Sequence, residues 1–122
     1  MLDHVCLNVC DLDRSKEFYV RAFAPLGVAV VMEFPGAVGL GDGGKPWYWL
    51  VRRDPVEGGA HVALATDDRG VVDAFHRAAL AAGGADNGAP GPRPQYHAHY
   101  YGAFVLDPDG NNIEVVCHRP QG

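Results

Sequence analysis

Between His4 and Val9 polar and apolar residues alternate, with Val5, Leu7 and Val9 on one face and His4, Cys6 and Asn8 on the other. That period of two predicts a half-buried strand. After Cys10 the period lengthens. Phe18, Tyr19, Ala22 and Phe23 form one helical stripe, with Asp11 or Asp13 as N-cap and Pro25 and Gly27 as the stop. Residues 28–34 read as a strand, residues 36–44 as glycine-rich turns, and residues 47–51 as a further strand of aromatic and β-branched residues.

The same succession of signals returns 57 positions later. His61 answers His4, and Val62, Leu64, Phe75, Ala79 and Gly84 answer Val5, Leu7, Phe18, Ala22 and Gly27. His61, Ala63 and Ala65 share one face of the second opening strand. Asp67 or Asp68 caps a helix presenting Val72, Phe75, Ala79 and Leu80, and Gly83-Gly84 ends it. Residues 84–95 are too rich in Gly and Pro for regular structure, so a lid or binding loop is expected there. Residues 101–106 and 112–117 are strands joined by a tight turn at Asp107-Pro108-Asp109-Gly110. The chain thus reads as one domain of two modules, 1–57 and 58–122, which pair their sheets.

Composition narrows the function classes. With 48% hydrophobic and 20% charged residues the chain has enough apolar material for a core. A formal net charge of −5 disfavours nucleic acid, because binding phosphates takes clustered Lys and Arg. No apolar run is long enough to span a bilayer. The chain enters a strand at once, without a basic segment followed by an apolar core, so a cytoplasmic protein is expected. Cys6, Cys10 and Cys117 form an odd set and are expected as reduced, small, buried hydrophobes.

Three strands each carry one polar residue of interest on the face away from the helices: His4, His61 and Glu114. Taken singly, each is an ordinary strand residue. Together, with the two histidines at repeat-equivalent sites, they make a two-His-one-carboxylate set. Such a set holds a divalent metal (Fe, Mn, Ni or Zn) and leaves coordination positions open for substrate or water. A metal there polarises a carbonyl or phosphoryl oxygen, stabilises an enediolate or, if it is iron, activates O₂.

The segments DHVCLNVCDLDRSKEFY near the start, HVALAT in the middle and DPDGNNIEVV near the end resemble, in that order and spacing, the vicinal oxygen chelate superfamily. This group includes glyoxalase I, fosfomycin-resistance thiol transferases, extradiol dioxygenases and bleomycin-resistance proteins. The resemblance implies an α+β fold, with two paired βαβββ modules forming an open U-shaped mixed sheet and the helices on its outer face. It also implies a homodimer with the sites at the subunit interface. His4 would come from one chain, and His61 with Glu114 from the other.

The chain departs from the named members at two points. Glyoxalase I carries a fourth ligand, Glu or Gln, on the last strand of its first module. Aligning the modules here sets Trp49 against Glu114, and indole cannot ligate. The tyrosine that extradiol enzymes place four residues before the turn aspartate is replaced by Ala103.

Two further groups complete the expected site. His97, His99, Tyr100 and Tyr101 lie between the long loop and a strand, and His97 and Tyr101 are the preferred proton-transfer residues. Trp47 and Trp49, on the ligand-bearing face, are expected to line the pocket of a small-molecule substrate. Cys6 shares the His4 face, with no basic neighbour evident, and is read as packing. The functional expectation is a metal-dependent lyase, isomerase, thiol transferase or dioxygenase. The alternative is a non-enzymatic protein that sequesters a drug or metabolite.

Overall fold

A computed structural model describes residues 1–120. β1 (Val5–Val9), α1 (Leu12–Phe23), β2 (Ala29–Phe34), β3 (Ala37–Gly41) and β4 (Tyr48–Arg52) form a first βαβββ unit. β5 (His61–Ala65), α2 (Arg69–Ala81), β6 (Ala85–Pro92), β7 (Tyr101–Leu106) and β8 (Asn112–Cys117) form a second. The α+β fold of two βαβββ modules is the one expected. The strands divide into two four-stranded sheets, ordered β1-β4-β3-β2 and β5-β8-β7-β6. In each sheet the opening strand runs parallel to the last, and the other pairs are antiparallel.

Both helices start where a side chain satisfies a free backbone N–H. Asp11 Oδ1 accepts from Arg14 N at 3.1 Å, and Asp68 Oδ1 from Gly70 N at 2.7 Å. α1 buries Phe18, Tyr19, Ala22 and Phe23, and α2 buries Val72, Phe75 and Ala79. Leu80, expected on the second stripe, is 38% exposed because it lies one position around the helix from Ala79. The Phe23 and Phe75 rings meet across the two helices at 6.2 Å. With Leu7, Val9, Leu40 and Leu50 from one sheet and Val105, Ile113 and Val115 from the other, they form a single core.

The turn before β8 joins the modules. The Tyr19 hydroxyl of α1 donates to Asp107, Ser15 Oγ donates to Asp109 at 3.4 Å, and the Cys10 N–H donates to Asp109 at 3.1 Å. Asp107 also accepts from the backbone N–H groups of Asp109 at 2.9 Å and Asn111 at 2.8 Å.

Three further expectations are corrected. Residues 85–92 form a strand despite their glycines and prolines. β6 is an edge strand, where Pro need not donate to a ladder, and its register shifts on either side of Gly88 absorb the irregularity. β3 lies inside the segment read as glycine-rich turns. A Cβ at Gly39 would stand 2.8 Å from Pro46 Cβ and 2.9 Å from Trp49 Cη2, so glycine here makes room for the indole. Cys117 is buried, but Cys6 and Cys10 are exposed, since Cys6 lies on the strand face that no helix covers.

Candidate functional site

The helices cover one face of each sheet and leave the other open. On the first sheet the open face carries His4, Cys6 and Asn8 along β1 and Trp49 along β4. On the second it carries His61, Ala63 and Ala65 along β5 and Glu114 along β8. Alternation fixes these facings, because Val5, Leu7 and Val9, and Ile113, Val115 and Cys117, point into the core.

Glu114 is the chemical centre of the second sheet. It is 2% exposed, yet it is a carboxylate, so burial must be offset by donors. Two are present. His61 Nε2 lies 2.9 Å from Oε1, and the Tyr100 hydroxyl donates to Oε2. A carboxylate only accepts, so His61 carries its proton on Nε2. Gly102 leaves the space this needs: a Cβ there would stand 3.2 Å from Tyr100 Cε1 and 3.5 Å from Glu114 Oε2. Burial, then the hydrogen bond and charge of Glu114, push the Tyr100 phenol well above its ordinary pKa. It therefore stays a proton donor.

Around Tyr100 lies a small aromatic cluster. Tyr96 meets it edge-on at 4.8 Å, and His118 and His97 meet it at 5.3 and 5.5 Å. His97 Nδ1 accepts from the His99 N–H at 3.0 Å, which leaves the Nε2 proton to donate to His118 Nδ1 at 2.6 Å. His97 thus stands one ring removed from Glu114. Tyr101 is not part of this group. Its hydroxyl donates to Asp73 of α2 at 2.7 Å and the Arg69 guanidinium lies over its ring, so it faces the helix. Of the two adjacent tyrosines it is Tyr100, and not Tyr101, that reaches Glu114, a facing that alternation could not phase without the start of β7.

His4 lies on the other sheet. Its Nδ1 is 2.8 Å from Asp3 Oδ1, and Asp3 also accepts from Lys45. His4, Trp47 and Lys45 line a cavity of about 310 Å³ that Val62, Ala63 and Leu64 of β5 close from the other side. Trp47 donates from Nε1 to Asp42 at 2.8 Å. Trp49 lies parallel to Phe34, with ring centroids 6.2 Å apart and planes inclined by 19°.

The donor set fits a divalent metal in two parts. His61 and Glu114 present a nitrogen and an oxygen close enough to grip one ion once the proton between them leaves. Among the described residues no three His, Cys, Asp or Glu side chains of one chain converge on a metal position, and His4 stands apart from the other two. One chain therefore offers two donors at one place and a third elsewhere.

Comparison with known proteins agrees with this architecture. The family model for the glyoxalase/bleomycin resistance protein/dioxygenase superfamily matches residues 1–115. A protein of Vibrio cholerae named a probable lactoylglutathione lyase is 32% identical over 132 residues, covering 95% of this chain and 89% of its own. A crystal structure of a glyoxalase/bleomycin resistance protein from Albidiferax ferrireducens superposes with a TM-score of 0.85 at 28% identity, covering 96% of this chain and 98% of that one. A glyoxalase I mutant from Zea mays superposes with a TM-score of 0.71 at 26% identity, covering 98% of this chain and 46% of that one. The chain belongs to the glyoxalase/bleomycin resistance protein/dioxygenase superfamily.

Proposed function

We propose that this protein is a metal-dependent enzyme acting on a small molecule, with His61 and Glu114 of one chain and His4 of a second chain as ligands. The observation that carries the reading is Glu114: a buried carboxylate held between an imidazole and a phenol on an otherwise open sheet face. A homodimer that faces the first sheet of each chain with the second sheet of its partner would complete two equivalent sites. A bound divalent ion would supply Lewis-acid stabilisation of charge developing on substrate oxygens. Exposed Cys6 and Cys10, free as thiols, suit a reducing cytoplasm.

The chain's own groups divide the remaining work. Trp47 and Trp49 form an apolar wall that orients substrate and excludes water. Tyr100 keeps its proton as a hydrogen-bond donor that orients Glu114 Oε2, and His97 and His118 behind it are the groups placed to move a proton. The Vibrio cholerae relative, a probable lactoylglutathione lyase, supports a lyase or isomerase over a transferase or dioxygenase. A second reading rests on the stacked Phe34–Trp49 pair, with Phe34 and Met32 exposed: this face would sequester an aromatic compound without turnover.

Subunit complementation tests the metal reading. His4→Ala and Glu114→Gln should each bind no metal alone. Unfolded together and refolded, they should recover about a quarter of wild-type occupancy, because mixed dimers hold one intact site. No recovery, or full occupancy in either parent, would exclude the shared site. A metal-free wild type that binds an aromatic ligand would establish the second reading.

A further inference from the structure

The segment from Asp42 to Trp47 has no part in the ligand set, yet it is built with care. Trp47 Nε1 donates back to Asp42 at 2.8 Å, and the Trp47 N–H donates to Leu40 O at 2.9 Å, closing the reversal between β3 and β4. At Gly41 a Cβ would stand 2.4 Å from the Lys45 carbonyl oxygen, so only glycine permits the chain to fold back so closely. The product of this geometry is the position of Lys45, whose ammonium donates to Asp3.

Asp3 then uses its other oxygen on His4. Oδ1 lies 2.8 Å from His4 Nδ1, and since a carboxylate can only accept, Nδ1 must be the protonated nitrogen. The Nε2 lone pair is left free, and the Nδ1 edge of the ring is held by Asp3. Aspartate, histidine and lysine thus form a relay whose outer end is free to bind.

We infer that Asp3 is a positioning residue, held by Lys45, that sets the tautomer and orientation of His4 so that Nε2 faces the shared site. The inference rests on His4 being a ligand, and it adds the outer carboxylate that imidazole ligands commonly need. It also explains the glycine-rich reversal, whose effect is to bring a cation to the base of this carboxylate.

Two-bond proton–nitrogen NMR of the metal-free full-length protein reads the His4 tautomer directly. Wild type should show the Nδ1–H form. Asp3→Ala should shift His4 toward the Nε2–H form, while Asp3→Asn, whose amide oxygen still accepts, should restore the wild-type signature. Ni²⁺ affinity, by competition with a chromogenic chelator, should weaken roughly 10- to 100-fold in Asp3→Ala and much less in Asp3→Asn. Asp3 is exposed, so these variants fold. An unchanged tautomer in Asp3→Ala overturns the role of Asp3. A changed tautomer with wild-type Ni²⁺ affinity in both Asp3→Ala and His4→Ala overturns the ligand assignment of His4 instead, and the positioning role falls with it.

Discussion

Trp49 occupies in the first sheet the place that Glu114 occupies in the second. Cys6 pairs with Trp49 across β1 and β4 as Ala63 pairs with Glu114 across β5 and β8, and Cys6 and Ala63 are equivalent in the repeat. The duplicated fold therefore offers two positions suited to a carboxylate, and this chain fills one with an indole. On the proposed ligand set, Trp49→Glu should add a fourth donor and tighten Ni²⁺ binding about tenfold or more, as a competing chelator would read it. An unchanged affinity would show that position 49 does not face the ion.

Tyr100 and Tyr101 are adjacent but lie on opposite faces of the sheet, and their substitutions should separate. On the proposed reading, Tyr100→Phe removes the donor to Glu114 and should lower kcat by about 10²-fold, with metal content retained. Tyr101→Phe breaks the bond to Asp73 and should leave kcat within a few-fold. It should instead cost about 0.5–1.5 kcal/mol in urea unfolding.

The bond between Tyr19 and Asp107 is buried and bridges the modules. Tyr19→Phe keeps the ring that packs against Phe18, Phe23 and Tyr48 and removes only the hydroxyl. Asp107 retains its backbone donors. Loss of this one charged bond should destabilise the protein by about 1.5–3 kcal/mol, with an unchanged denaturant slope.

The outer edge of the second sheet should be sensitive to acid. His76 Nε2 lies 2.9 Å from Asp86 Oδ1, which also accepts from the Gly88 N–H at 3.0 Å. The His76 bond, then the backbone bond, hold the Asp86 carboxyl below its ordinary value. A carboxyl depressed in the folded state adds stability above its unfolded pKa of about 3.9, and that stability is lost as pH falls through the folded value. Protection of the β6 amides, measured against their intrinsic exchange rates, should therefore fall below about pH 4, and Asp86→Asn should remove that step.

The parts of this molecule that repeat were readable in advance, because periodicity reports burial directly. The facings of His4, His61 and Glu114 follow from the apolar residues between them, and one of each proposed pair of aspartates caps its helix. What escaped depends on pairing partners that the local sequence does not encode. β6 is a strand only because β7 lies beside it, and its prolines are tolerated only because no strand among the described residues pairs with its other edge. Which of Tyr100 and Tyr101 reaches Glu114 is not encoded locally, because a shift of one residue exchanges the two faces. The Lys45–Asp3–His4 relay joins residues more than forty positions apart through a reversal whose shape is set by Gly41 and Trp47.

The single core shared by α1, α2 and both sheets has a thermodynamic consequence. The symmetry written in the sequence should be absent from the melting curve. Neither half can leave the other without exposing the facing phenylalanines and breaking the buried Tyr19–Asp107 bond, so separation and unfolding are the same event. Calorimetric and van't Hoff enthalpies should agree in a single transition. A chain cut after residue 57 should give two fragments that gain structure only when mixed.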